Sequence, residues 1–162
     1  MKDFDIELLY AELDQKRVLL GLTWKGVAKE IEHRFAKVSP STIAGLRGRK
    51  IVEGDGVLQM LLWLERAPES FVPGIKPERK HQLVEPKNAV LRFDVRKTYR
   101  LLDAKRLEEA LTWEDLADQI GGFSAGALQR FGRGGRTAFP GIVRIARWLG
   151  IAVKELTGEY PG

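Results

Sequence analysis

The chain of 162 residues contains an internal repeat, and this repeat constrains its fold more than any other feature of the sequence. Phe4–Ile31 aligns without a gap with Phe93–Ile120, and 12 of the 28 aligned positions are identical. After a length difference of four residues the alignment resumes, so that Ser39 aligns with Ser124. A repeat of this length predicts two copies of one structural unit.

We place a first copy at residues 1–72, a linker at 73–92 and a second copy at 93–162. Pro73, Pro77 and Pro86 lie in the linker. Because proline fixes φ and lacks an amide donor, we expect an extended, semi-stiff tether whose apolar residues can still pack against a domain. Each copy has only about 70 residues and hence a small core, so we expect mutual support or dimerisation.

The pattern of apolar and capping residues predicts five helices in each copy. Thr23 and Ser39 are N-cap candidates in the first copy, and Thr112 and Ser124 are their counterparts in the second. Pro40 follows at the first position of the third helix, where a missing amide is tolerated. Neither copy shows the alternating apolar pattern that is typical of strands. We therefore predict an all-α fold of two tandem five-helix domains.

The charge distribution favours a nucleic-acid partner. The formal net charge is +5 and the sequence pI about 9.6. No acid occurs from His33 to Val52 or between Asp118 and Glu155, whereas acids gather in the first predicted helix of each copy. Segregation of this kind suits one face held against a polyanion, although charge runs are also found on ordinary solvated surfaces.

Other classes of function find little support in the sequence. Cysteine is absent, and His33 and His81 lack a metal-ligand spacing, so we expect no metal site and no cofactor. No nucleophile–base arrangement stands out, and we predict that the protein is not an enzyme. The glycine-arginine loop at residues 132–136 lacks the preceding strand and the Gly-Lys-Ser/Thr of a phosphate-binding loop. We interpret it as a flexible basic loop between helices.

The sequence also predicts a cytoplasmic protein without a membrane partner. The first ten residues lack an apolar signal core, and no apolar run approaches the length of a membrane-spanning helix.

One pattern occurs in both copies: L-T-W-x-x-(V/L)-A-x-x-I, a polar turn, S-x-x-x-(I/L)-x-x-(L/F), a glycine-arginine loop and a W-L helix. It resembles the XRE-type, lambda-repressor/Cro-like helix-turn-helix family over both copies, with the linker left out. The resemblance implies five-helix DNA-binding domains joined by the proline-containing linker. It also implies a bacterial or phage transcriptional regulator that is usually dimeric.

The chain departs from that family at one position. The family often has glutamine at the first residue of the second helix, where its amide contacts a phosphate. Here Trp24 and Trp113 occupy this position. An indole N–H can donate to a phosphate, but a packing role is an equally open interpretation.

In such a fold the start of the third helix enters the major groove. With Ile43 and Leu46 turned inward, the first copy presents Pro40, Ser41, Ala44 and Gly45, which offer one hydroxyl for reading bases. The second copy presents Ala125 and Gly126 together with Gln129 and Arg130, whose side chains can make bidentate contacts to adenine and guanine. Arg130 can equally reach a phosphate. The candidate DNA-binding residues are Ser39, Ser41, Thr42, Gly45, Arg47, Arg49, Lys50, Ser124, Gly126, Gln129, Arg130, Arg133 and Arg136.

Arginines and lysines around the third helices are the expected phosphate ligands. Around the first they include Arg34 and Lys37, and around the second we count Arg144 and Arg147 as well.

Three hypotheses follow for the function. The first is a sequence-selective double-stranded DNA-binding regulator of transcription. The second is a binding module in which one copy, the first in our interpretation, mediates dimerisation or contacts a protein partner such as a toxin or a polymerase subunit. The third is an architectural DNA binder without base specificity.

Overall fold

The computed structural model describes residues 3–48 and 52–161. Within these residues the chain forms eight α-helices, several 3-10 turns and one two-stranded sheet. The predicted predominance of helix is confirmed. The helices and strands, in chain order, are α1 (Ile6–Leu19), α2 (Trp24–Arg34), α3 (Pro40–Ala44), α4 (Gly54–Leu64), β1 (Val90–Phe93), α5 (Val95–Glu108), α6 (Trp113–Ile120), α7 (Ala125–Arg130), α8 (Phe139–Leu149) and β2 (Thr157–Tyr160).

The helices α2 and α6 begin at the predicted capping residues. The Thr23 hydroxyl accepts a hydrogen bond from the Gly26 amide at 3.1 Å. The Thr112 hydroxyl accepts one from the Asp115 amide at 3.0 Å. Each cap satisfies an amide that the first helical turn leaves without a partner, so these contacts set where the helix starts.

The two copies repeat the same packing between their first and last long helices. The Lys16 ammonium donates to the carbonyl of Trp63 and lies 4.3 Å from the centroid of that ring. Lys105 donates to the carbonyl of Trp148 and lies 4.4 Å from its ring. These residues occupy equivalent positions in the alignment, so the sequence repeat is also a repeat of tertiary contacts.

The prediction that the chain lacks strands is wrong at one place. β1 and β2 pair in antiparallel register, with Val90 opposite Tyr160 and Phe93 opposite Thr157. In β1 only Arg92 is exposed, because the strand packs against the protein on both faces. Such a segment shows no alternation of apolar and polar residues, so periodicity alone does not distinguish it from a buried helical segment. The predicted fifth helix of each copy is a 3-10 turn, at Pro68–Phe71 and Val153–Leu156.

The segment that we predicted as a linker packs against the protein for part of its length. His81 and Leu83 are buried. Its last residues enter β1, where the Leu91 carbonyl accepts a hydrogen bond of 2.7 Å from the side-chain amide of Gln59 in α4. This end of the segment is therefore held in place by tertiary contacts.

The two copies meet around an approximate two-fold axis. Glu53 and Ala138, which are equivalent residues, form an isolated antiparallel β-bridge. The Gly54 amide donates to the Thr137 carbonyl at 2.9 Å, and the Phe139 amide donates to the Val52 carbonyl at 2.8 Å. The second bond is the first with the two copies exchanged, which is the relation that a two-fold rotation produces. Two further pairs of equivalent elements also touch, α4 with α8 and the turn Pro68–Phe71 with Val153–Leu156.

The apolar core is continuous between the copies. The ring of Phe4 lies 5.8 Å from that of Phe71 in its own copy and 4.5 Å from that of Phe139 in the other. Phe139 and Trp63 are completely buried. Each copy thus gains apolar burial from the other, which agrees with the small core expected of each copy alone.

Candidate nucleic-acid interface

The short helices α3 and α7 are held in the same way in both copies. The Ser39 hydroxyl accepts a hydrogen bond from the Thr42 amide at 3.2 Å, and the Ser124 hydroxyl accepts one from the Ala127 amide at 3.1 Å. The Ser39 hydroxyl also lies 2.6 Å from that of Thr42. Of the predicted contact residues, Ser39 and Ser124 therefore have a structural task already, which is to cap these helices.

Apolar anchors determine which face of each helix points outward. Ile43 and Leu46 are fully buried in the first copy, and Leu128 and Phe131 are buried in the second. The predicted outward orientation is confirmed, while contact of these residues with DNA stays a prediction. The exposed residues on the two helices and at the end of α3 are Pro40, Ser41, Ala44, Gly45, Gly126, Gln129 and Arg130; Ala125 and Thr42 are half-buried.

Exposed cations flank α3. The Arg47 guanidinium is exposed and lies 5.1 Å from the centroid of the Tyr10 ring, a cation–π contact that holds it beside α1. Lys37 is exposed in the turn before α3. Arg49 and Lys50, which we also predicted as contact residues, lie outside the described residues.

The basic loop after α7 lies beside α5 and is held there through its backbone. A Cβ added at Gly132 would lie 3.5 Å from the Tyr99 ring, an ordinary van der Waals contact, so the loop passes close to α5. The Arg133 carbonyl accepts a hydrogen bond from the Arg96 guanidinium at 3.2 Å. Gly134 and Gly135 have positive φ, which is costly for other residues. The side chains of Arg133 and Arg136 stay exposed. These contacts restrict the conformation of the loop more than its glycine content suggested.

Arg144 and Arg147, which we counted among the expected phosphate ligands of the second copy, are paired with an acid. Both contact the Asp3 carboxylate, with nitrogen–oxygen distances of 2.7 and 3.2 Å. Arg144 also lies over the ring of Phe123 at 5.5 Å and is three-quarters buried. Asp3 is 141 positions away from Arg144 in the chain, so the local absence of acids gave no warning of this pairing.

A groove beside the two-fold axis brings residues of both copies together. The start of α3 supplies Lys37, Ser39 and Thr42, and the second part of the chain supplies Arg92 and Arg136. Arg92 was missed in the sequence because it lies at the end of the predicted linker. Hydrogen bonds between α4 and β1 and the pairing of β1 with β2 carry it to this position, and no local signal predicts these contacts.

Two acids, Glu53 and Asp55, also line this groove. The Glu53 carboxylate accepts a hydrogen bond from the Gly56 amide at 3.3 Å and lies 3.9 Å from the Arg136 guanidinium. Partial burial raises the pKa of Glu53, and the neighbouring Asp55 carboxylate raises it further, against the opposing effect of Arg136. The groove therefore holds a carboxyl group that is more easily protonated than an ordinary glutamate.

The tryptophans at the start of α2 and α6 pack against the protein. The ring centroids of Tyr10 and Trp24 are 5.4 Å apart, and those of Tyr99 and Trp113 are also 5.4 Å apart. The Arg17 guanidinium lies 4.9 Å from the Trp24 ring. Of the two interpretations left open for these indoles, the structure supplies direct contacts for packing.

Comparison of the chain with family models, curated proteins and solved structures finds no match. Within residues 3–48 and 52–161, no helix is long and apolar enough to span a membrane. In the same part of the chain, no cluster of three or more His, Asp or Glu side chains is arranged to hold a metal ion.

Proposed function

We propose that this protein binds double-stranded DNA sequence-selectively and regulates transcription in the cytoplasm, with each copy acting as a helix-turn-helix unit. The observation that carries the proposal is a repeated one. At the same place in both copies, a short N-capped helix exposes its outer face beside exposed arginine or lysine side chains. In a helix-turn-helix protein, this is the part that enters the major groove.

The second copy is the better equipped to distinguish bases. Gln129 and Arg130 are both exposed on α7. Their side chains can form bidentate pairs with adenine and with guanine, each contributing about 1–3 kcal/mol of discrimination against the wrong base. The outward residues of α3 carry only the hydroxyl of Ser41, so the first copy contributes mainly to holding the duplex.

Phosphate contacts come from exposed cations near both helices. Arg47 and Lys37 supply them beside α3, and Arg133 and Arg136 supply them in the loop after α7. Contacts of this type release condensed counterions from DNA, so they make the affinity strongly dependent on salt.

Selection of bound sequences from a random duplex pool by the full-length protein tests the proposal. We expect one sequence motif to be enriched, and we expect the binding constant for the enriched duplex to fall linearly with salt concentration on logarithmic axes. Four phosphate contacts correspond to a slope of roughly −3 to −4. Equal affinity for random duplexes would favour an architectural binder, and a binding constant that is independent of salt would contradict the proposed interface.

A second candidate function is a protein contact made by the first copy. Val18, Leu19 and Leu20 are exposed at the end of α1, whereas two of the three equivalent positions in the second copy hold Glu108 and Glu109. Replacing Val18 and Leu19 by glutamate tests this. Loss of self-association with DNA affinity unchanged would support the protein contact, and no change in either would remove this candidate.

A further inference from the structure

We infer that a single chain, through its approximate internal two-fold symmetry, binds one DNA site without a second copy. This site is composed of two unlike half-sites in inverted orientation. The inference rests on the proposed function and adds to it the geometry of the site. The sequence repeat by itself allows either orientation, because two tandem domains on a tether can bind half-sites repeated directly or inverted.

The reciprocal hydrogen bonds at the interface decide the orientation. Gly54 donates to Thr137 as Phe139 donates to Val52, and each bond becomes the other when the copies are exchanged. A translation that placed the copies head to tail would instead join two different surfaces. The segments that pair run antiparallel, as a two-fold axis between them requires.

Contacts further from the bridge are also related in pairs when the two copies are exchanged. The ring of Phe4 packs on Phe139, the first residue of α8. Its equivalent, Phe93, covers Gly54, the first residue of α4, so closely that an added Cβ would lie 2.8 Å from the ring. Together with the pairing of α4 with α8, these contacts extend the two-fold relation across the interface.

The rotation carries α3 onto α7. Each helix packs on the rest of its own copy through equivalent apolar residues, Ile43 and Leu46 in one and Leu128 and Phe131 in the other. A two-fold rotation leaves the height along its axis unchanged and reverses every direction perpendicular to that axis, so α3 and α7 lie at the same level and their directions across the axis are opposed. The local dyads of B-DNA have this symmetry, and a two-fold protein therefore matches inverted half-sites.

The half-sites are unlike because the two outward faces differ. Ser41, Ala44 and Gly45 on the first copy are equivalent to Gly126, Gln129 and Arg130 on the second. This difference also hides the orientation in any natural site, since two unlike half-sites have no visible repeat. The test therefore makes the two faces alike.

The variant Ser41→Gly/Ala44→Gln/Gly45→Arg gives α3 the outward residues of α7. Ser41, Ala44 and Gly45 are exposed, and Gly45 has a φ of −88°, which any residue adopts, so we expect the variant to fold. We subject it and the wild-type protein to selection from a random 40-base-pair duplex pool. Chains per selected duplex are counted by native mass spectrometry, and thermal unfolding confirms that the variant is folded.

The expected result is an asymmetric motif for the wild-type protein and an inverted repeat of its α7 half-site for the variant, each bound by one chain. Insertion of five base pairs between the half-sites moves one of them to the opposite side of the duplex, so affinity should fall by at least tenfold. Direct repeats, a single half-site, or two chains per site would overturn the inference while leaving the proposed DNA binding intact. If the wild-type protein enriches no sequence, the proposed function fails, and the inference fails with it.

If the variant does not fold, a second measurement on the wild-type protein decides. In its selected duplex, chemical cleavage tethered to residue 129 and then to residue 44 reports the position and strand polarity of each helix. Opposite polarities support the inference, and equal polarities overturn it.

Discussion

Glu53 and Ala138 are equivalent residues of the two copies, and they pair with each other in an antiparallel β-bridge. They are also the N-cap residues of α4 and α8. The contact between the copies is therefore made by the backbone that starts these two helices. A change at this bridge should affect both copies together.

Gly54→Ala should destabilise the protein by about 1–3 kcal/mol, because the new methyl group overpacks the interface. Its Cβ would lie 2.8 Å from the Phe93 ring and 3.1 Å from the Thr137 carbonyl. Gly56→Ala in the same helix is the matched control, since its nearest neighbour lies at 3.6 Å, an ordinary contact. Urea unfolding measures both. If the two substitutions destabilised the protein equally, the close contact between position 54 and the Phe93 ring would not be the cause of the destabilisation.

Asp3→Asn should lower the free energy of unfolding by about 1 kcal/mol, because it removes the carboxylate that bridges Arg144 and Arg147. The side chains of Asp3 and Arg144 are both about three-quarters buried, so salt screens this pair only in part. Combining the change with Arg144→Gln completes a double-mutant cycle. Strictly additive losses would mean that the pair contributes nothing.

Glu53→Gln should raise the affinity for DNA at neutral pH by a few-fold, because it removes a negative charge from the groove between Lys37 and Arg136. The amide oxygen can still cap α4. The wild-type affinity should also fall as pH rises through the pKa of Glu53, which is raised above its usual value. Fluorescence anisotropy measured from pH 4 to neutral pH reports this loss.

The same raised pKa predicts an effect on stability. In the range between the unfolded pKa of about 4.3 and the higher native pKa, the native state binds more protons at residue 53 than the unfolded state does. This contribution is complete below the unfolded pKa and is lost as pH rises through the native one. Wild type and Glu53→Gln should therefore differ more at pH 7 than at pH 4. An unchanged difference would mean that residue 53 does not titrate with folding.

Arg130→Ala should cost about 1–3 kcal/mol on the preferred site and should relax selectivity at one base pair. Arg133→Ala is the matched control, because this exposed arginine lies in the following loop and is expected to contact a phosphate. It should weaken all sequences alike and reduce the salt slope by about one. Competition binding with single-base variants of the selected duplex separates the two. Equal weakening of every sequence by both changes would make Arg130 a phosphate ligand.

Much of the local structure could be predicted from the sequence, since the signals involved act over a few residues. The capping hydroxyls accept hydrogen bonds from the amides three residues ahead, and they belong to Thr23, Ser39, Thr112 and Ser124. The inward turn of Ile43 likewise follows from helical periodicity. The prediction failed for β1, whose partner β2 lies more than sixty residues further along the chain.

The sequence by itself therefore determined that there are two similar helical units, where their helices start and which faces of α3 and α7 point outward. Only the tertiary structure decided how the units are related. The bridge between Glu53 and Ala138 makes that relation two-fold, and Asp3 forms an ion pair with Arg144, which had been counted as an expected phosphate ligand. The physical reason is the separation along the chain of the residues that interact: helix caps and apolar periodicity involve residues only a few positions apart. Contacts between distant segments depend on which surfaces remain after the helices have formed.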